Sequence, residues 1–196
     1  MSVERHPLAP FLPPDATRLF LGSFPPPRKR WSMEFFYPNL QNDFWRIFGL
    51  VYFNDKDHFL RTDVKKFDAD KIQAFLRQEK MAFYDTATEV IRQRENASDA
   101  FLQVVQSLDL EEILLRRIPH CHTLLTTGEK ATVTLLTLIQ AAKPPVGGCS
   151  EFLFHGRPMR LYRLPSSSRA YPLPLDKKAE IYAKILHSPS PQISEF

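Results

Sequence analysis

The chain predicts an α/β fold: a three-layer α/β/α sandwich with a central, mostly parallel sheet of four to five strands. Three observations carry this. Short apolar runs alternate with longer segments of helical periodicity. Two of the apolar runs open into small-residue loops, Leu21-Gly22-Ser23-Phe24-Pro25 near one end and Leu164-Pro165-Ser166-Ser167-Ser168-Arg169 near the other. Finally, 196 residues with 43% hydrophobic content suffice to bury roughly 70% of the unfolded surface in one core. The chain therefore reads as one domain over residues 1–196, with 1–15 and 188–196 as flexible ends.

The elements follow in order. Residues 18–21 form a short apolar run that Gly22 ends, the pattern of a buried strand entering a loop. Pro25, Pro26 and Pro27 forbid helix beyond it. In 41–48, Phe44, Trp45 and Phe48 recur at helical spacing and mark a buried helical face. Ile72, Phe75 and Leu76 do the same in 68–78, and 81–84 reads as a strand ending at Asp85. The polar stretch 86–98 reads as a long connection, 100–105 and 110–115 as helices, and 123–126 as the next strand. Gly128 opens a helix over 129–142, stopped by Pro144, Pro145, Gly147 and Gly148. Residues 152–154 and 159–164 form a hairpin around His155-Gly156-Arg157-Pro158. A last helix, from 174 or 175 to 187, buries Ile181, Tyr182, Ile185 and Leu186, and a polar, proline-bearing tail follows.

Composition narrows the function. No apolar run approaches the roughly 20 residues that span a bilayer. MSVERHPLAP lacks the apolar core of a signal peptide, so a cytoplasmic location, nucleoid-associated in a bacterium, follows by default. Cys121 and Cys149 have no partner at metal-binding spacing. His120 and His122 flank Cys121, but neighbours on a strand alternate faces and cannot converge on one ion. No metal and no cofactor is therefore expected. The net charge of +4, from 26 basic and 22 acidic residues, is compatible with a polyanionic partner. More telling is its placement: Arg28-Lys29-Arg30 follows the first loop and Lys177-Lys178 the second. Solvated loop charge is the plainer alternative.

Both small-residue loops leave strands, and in open α/β sheets ligands bind at the carboxyl ends of the strands. Between the loops lies Phe36-Tyr37-Pro38-Asn39-Leu40-Gln41-Asn42-Asp43-Phe44-Trp45. Phe83-Tyr84-Asp85 with Arg94 and Asp99, then Thr127-Gly128-Glu129-Lys130-Ala131, and Asp176-Lys177 with Tyr182 complete the set. In these motifs the chain resembles the uracil-DNA glycosylase superfamily, and within it the mismatch-specific uracil/thymine and the deoxyinosine (hypoxanthine) DNA glycosylases.

The resemblance implies a monofunctional DNA glycosylase of base excision repair, acting as a monomer on DNA that holds a damaged or mismatched base. It would hydrolyse the N-glycosidic bond of a flipped hypoxanthine or uracil. Such chemistry needs a positioned water, donors for the leaving base, a pocket for that base and loops that grip phosphate. Phe24 stands where the superfamily's first motif has an Asp or Asn, and Leu164 where relatives have a His or Asn that supports the leaving base. The deoxyinosine glycosylases also lack the first of these, and Asn42 matches an asparagine implicated in their catalysis. Its carbonyl can accept a hydrogen bond from water and its amide can donate to the base. As an alternative or in addition, Asn42 caps the helix that follows.

Asp85 would assist as base, or else cap a following helix. Gly22, Ser23, Phe24 and Tyr37 would form the base pocket, with Phe24 and Tyr37 as stacking rings, although in a chain with 12% aromatics either ring taken by itself reads first as core. Pro165, Ser166, Ser167, Ser168, Lys177, Arg28, Lys29 and Arg30 would contact phosphates, and Arg169 or Tyr171 would fill the vacated base position. Two other classes remain open: a non-catalytic DNA-damage-binding module of the same fold, and a hydrolase of free nucleosides or nucleotides.

Overall fold

The structure is a computed structural model that describes residues 2–93 and 99–188. A five-stranded sheet forms its centre. Strands β2 (Arg18–Gly22), β3 (Met81–Asp85), β6 (Thr123–Thr127) and β8 (Arg157–Leu164) run parallel in the order β3-β2-β6-β8, and β7 (Cys149–Phe154) closes one edge antiparallel to β8.

Alternation along the strands covers both faces. Phe20 pairs in register with Phe83 and Leu125, and all three face α1 (Phe44–Phe53), α2 (Ala69–Gln78) and α4 (Leu175–Leu186). Their neighbours Leu19, Leu21, Ala82 and Leu124 face the other way, toward α3 (Glu129–Leu136) and a π-helical segment, Glu112–Arg117. The first face is dense in aromatic rings. Phe20 stacks on Phe83 at 4.8 Å between centroids, and Phe44, Trp45, Ile47 and Phe48 of α1 are fully buried above them. Deleting one such ring would cost about 3–5 kcal/mol. α1 begins where the Phe44/Trp45/Phe48 spacing predicts and runs on to Asn54, whose left-handed backbone ends it.

Four expectations are corrected. The stretch 86–98 is not a plain connection, since Ala87–Arg92 forms β4. Residues 100–105 hold no α-helix: a single 3-10 turn, Asp99–Phe101, leads straight into Leu102–Ser107, which forms β5. These two pair antiparallel with each other and with β1 (Val3–Arg5) in a second, three-stranded sheet, order β1-β4-β5. The cause is sparse, one-sided burial: β4 buries Ala87 and Val90 and β5 buries Leu102, with their other residues half-buried or exposed, so neither shows the apolar run of a core strand. Residues 2–15, expected as a flexible end, instead hold β1, a bridge from Phe11 to Phe83 and the buried side chain of His6. α3 stops at Leu136 rather than near 142. Thr137 returns its amide and its hydroxyl to the Thr134 carbonyl, and β-branched residues crowd this helix.

The hairpin turn is tighter than its sequence spacing, with only His155 (φ 49°) and Gly156 (φ 78°) between β7 and β8, as a two-residue type I′ turn requires. Arg94 lies outside the described residues, as does the tail beyond Ser188. Among the described residues no helix is long and apolar enough to cross a membrane, and no cluster of His, Cys, Asp and Glu could hold a metal ion.

Candidate active site

At the carboxyl ends of β2, β3, β6 and β8 the chain encloses a cavity of about 720 Å³. Four segments line it: the Gly22–Phe24 loop, the stretch from Tyr37 to Asn42, Asp85 with Thr127, and the Ser166–Ser168 loop continuing into Arg169. The residues expected to form the base pocket, together with Asn42 and Asp85, thus converge on one cavity. Arg30 reaches it as well. Arg28, Lys29, Pro165 and Lys177 do not line it: Arg28 pairs with Glu34, and Lys177 pairs with Glu180 at 2.8 Å on the exposed face of α4.

Asp85 forms the floor. It is the last residue of β3, only 6% exposed, and one of its oxygens lies 2.8 Å from His6 Nε2. His6 Nδ1 faces the Leu8 carbonyl at 2.9 Å and the Leu8 amide at 3.2 Å, so the ring is held from both sides. Phe24, Phe36 and Tyr84 surround the imidazole with centroids 5.3, 6.1 and 4.9 Å away. No helix follows Asp85, so the helix-capping reading is overturned: Thr86 turns back to bond the Gly22 carbonyl and β4 begins.

The glycine of the first loop now has a steric reason. A Cβ on Gly22 would sit 2.3 Å from Asp85 Oδ1 and 3.1 Å from the Tyr37 hydroxyl. Any side chain there would expel the carboxylate from its position. Asp99 also borders the cavity. Burial, followed by the nearby charge of Asp85, raises its pKa above the ordinary carboxylate value against the opposing hydrogen bond from Ser23. Two carboxyl groups therefore share one cavity in different environments.

Tyr37 has φ 51°, a conformation that bulky residues rarely adopt. Its ring stacks on Phe44 at 3.8 Å and 5°, and its hydroxyl lies 2.6 Å from Thr127 Oγ1. One face of the ring is thus already occupied. Burial and then the Asp85 charge push the phenol well above its ordinary pKa, which keeps it a neutral hydrogen-bonding group. Phe24 is divided too: it borders the cavity and also packs with Ala87, Val90 and Leu102, tying the small sheet to the site.

Asn42 does what its sequence position predicts of a cap, since its Oδ1 accepts the Phe44 amide at 2.9 Å. That leaves one carbonyl lone pair and the amide NH2 for a ligand. The formal boundary residue, Asp43, makes no side-chain cap. Instead its carboxylate takes Arg169 Nε at 2.8 Å and lies 3.9 Å from the buried Lys178 ammonium. The Asp43 amide donates to the Ser167 carbonyl at 3.0 Å, and Asn42 bridges Ser168, so the asparagine segment and the serine loop form one unit.

α4 supports this unit from below, with Lys178 Nζ donating to the Ser168 carbonyl at 2.8 Å and Tyr182 to the Pro165 carbonyl at 3.0 Å. Burial lowers the Lys178 pKa, opposed by Asp43. Lys178, rather than Lys177, is the lysine that braces the loop. Ser166 Oγ and Ser168 Oγ accept the amides of Ser168 and Ala170 at 3.3 and 3.2 Å, which shapes the loop and leaves both hydroxyl protons to donate outward.

His6 carries no signal legible in the sequence, since it stands in an N-terminal segment that lacks apolar periodicity. Asp99 was visible as part of a motif, but without a role.

No family model and no curated protein matches the chain. Among solved structures, a solution NMR structure from Methanosarcina acetivorans, provisionally described as a uracil DNA glycosylase, superposes with a TM-score of 0.60. It is 21% identical, and the match covers 95% of this chain and 98% of that one. The two chains share their fold.

Proposed function

We propose that the protein is a monofunctional DNA glycosylase that hydrolyses the N-glycosidic bond of a deaminated or mismatched base, hypoxanthine or uracil, flipped out of DNA. The observation that carries this reading is the buried Asp85 carboxylate, held by His6 and spared by Gly22, on the floor of a cavity roofed by Asn42 and the serine loop. The fold shared with a structure provisionally described as a uracil DNA glycosylase supports it.

In this mechanism the C1′–N bond breaks with its electron pair leaving on the base, and the sugar becomes cationic. Asp85 stabilises that cation and accepts a proton from the water that adds to C1′. The free lone pair of Asn42 Oδ1 orients the water and its NH2 donates to the departing base, which then takes up a proton from solvent. His6 is a positioning residue: it holds Asp85 rather than the substrate. The Tyr37 phenol and Thr127 hydroxyl read the base edge, and Ser166, Ser168 and Arg30 meet the flanking phosphates.

Base release from end-labelled duplexes bearing one hypoxanthine, one uracil or a G·T mismatch, followed by alkali, tests the proposal. Cleavage that appears only after alkali and falls at least tenfold in Asn42→Ala is the expected result. Tight binding to a lesion duplex without release would reassign the chain to a non-catalytic damage-binding module, and release from free nucleosides would reassign it to monomer hydrolysis.

A further inference from the structure

A second depression of about 1080 Å³ opens beside the first, and Arg30, Asn39, Gln41 and Arg169 border both. A chain leaving the first cavity over this rim enters the second directly. Its walls are basic. Lys29 and Arg30 come from the turn after β2 and Arg46 from α1, while Arg61, Lys65 and Lys66 come from the loop between α1 and α2. Asp63 is the carboxylate among the lining residues, and it is bound in two-point contact by Arg61 at 3.0 and 2.6 Å.

The loop that presents the lysines is built rather than slack. Leu60 bridges Phe67, the Arg61 amide bonds the Lys66 carbonyl at 2.9 Å, and the Phe67 amide reaches Ser32 Oγ at 3.4 Å. Behind it Arg46 donates to the Leu40 carbonyl at 2.8 Å and lies over the Phe67 ring at 5.5 Å, with its side chain only 15% exposed. Burial and then the neighbouring Arg169 lower the Arg46 pKa, as expected where cations crowd, although Asp43 and Asp57 oppose the shift.

Trp31 in its wall already carries the Arg28 guanidinium over its ring at 4.5 Å and donates its indole N–H to the Pro26 carbonyl, and Asn39 Oδ1 accepts the Gln41 amide, so the groove's dominant chemistry is repeated positive charge. We propose that this cleft is a second, sequence-independent binding site that carries the sugar–phosphate backbone of the DNA strand on one side of the flipped nucleotide, with Lys65 and Lys66 as its outer phosphate contacts. The proposal rests on the reading of the first cavity as the site of a base flipped from DNA.

Lys65 and Lys66 are fully on the surface, so Lys65→Ala/Lys66→Ala leaves the core intact. The test measures binding to a lesion-free duplex, and to a duplex with an abasic-site analogue, from low to moderate salt. Each lost phosphate contact lowers the log–log salt slope by about 0.9, so the double variant should lose a slope of about 2 and bind about tenfold more weakly at low salt. Lys65→Arg/Lys66→Arg should restore binding. Arg116→Ala, an exposed cation in the segment leading to the amino end of β6, should change nothing. On duplexes with the analogue near one end, the loss should vanish for one of the two placements, where no strand is left to enter the cleft.

An unchanged slope, an equal loss in Arg116→Ala, or equal losses for both placements would overturn the proposal. Base release on the same preparations separates the two readings. A lowered slope without release keeps the cleft and removes the glycosylase reading, whereas release with an unchanged slope does the reverse.

Discussion

The floor and the rim of the cavity are built by opposite means. On the floor, Asp85 and His6 are almost sealed from water, and Gly22 is there because nothing larger fits beside the carboxylate. On the rim, Arg169 is half exposed even as it pairs with Asp43, and Ser166 and Ser168 use their oxygens to shape their own loop. A buried hydrogen-bonded carboxylate is held in one position and weakly screened, whereas the attraction between exposed charges fades with salt. The floor is thus suited to chemistry and the rim to grip.

Four measurements can break or sharpen that division. Gly22→Ala carries the largest expected effect: it drives a methyl group against Asp85 Oδ1 in a fully packed strand. It should lower stability by about 1–3 kcal/mol, read from denaturant midpoints, and reduce base release to background. Wild-type activity in this variant would show that Asp85 need not sit where it does. Asp85→Asn keeps the shape and removes the base, so single-turnover release should fall by about 100- to 10,000-fold while affinity for an abasic-analogue duplex changes less than threefold. A loss in affinity as large as the loss in rate would place Asp85 on the gripping side.

Arg169→Ala tests the rim. Arg169 is half exposed, and the buried Asp43 keeps Lys178 at 3.9 Å when Arg169 is lost, so stability should fall by only about 1 kcal/mol. DNA affinity should drop several-fold, and the drop should shrink as salt rises. If the drop is salt-independent, Arg169 acts by filling the vacated base position instead. Asp99 gives the smallest effect and separates the two carboxyl groups. Its folded pKa is raised above the unfolded value, so its neutral form is favoured in the fold. That contribution is complete below the ordinary carboxylate pKa and is lost as pH rises through the raised value. Asp99→Asn should remove this part of the pH dependence and be more stable than wild type, relative to their difference in acid, once pH exceeds that value. Parallel stability–pH curves would mean that Asp99 titrates normally.

The parts of the fold that are buried on both faces were legible in the sequence. β2, β3 and β6 appear there as short apolar runs, and α1, α2 and α4 as aromatic or aliphatic residues at helical spacing, because burial leaves a periodic trace. The second sheet was not legible. β4 buries two of its six residues and β5 one of six, and β1 is three residues long, so their assignment depends on partners far away in the chain. The site divides in the same way. Asn42, Asp85 and the serine loop follow recognisable local patterns, and Asn42's capping bond is a strictly local contact. His6 meets Asp85 across 79 positions of sequence and Tyr37 meets Thr127 across 90, distances over which no local pattern operates.

By itself, then, the sequence determined the parallel α/β core, the two loops at the carboxyl edge of its sheet and the candidate pocket residues Gly22, Asn42 and Asp85. These are consequences of hydrophobic periodicity, turn chemistry and motif spacing, all of which act within a few residues. Only the tertiary structure decided that the N-terminal segment brings His6 to Asp85. It alone decided that Lys178 rather than Lys177 braces the serine loop, and that the cations of four separate segments line one groove. Packing sets those meetings, because which buried or charged groups come within a few ångströms of each other depends on how the layers close over one another.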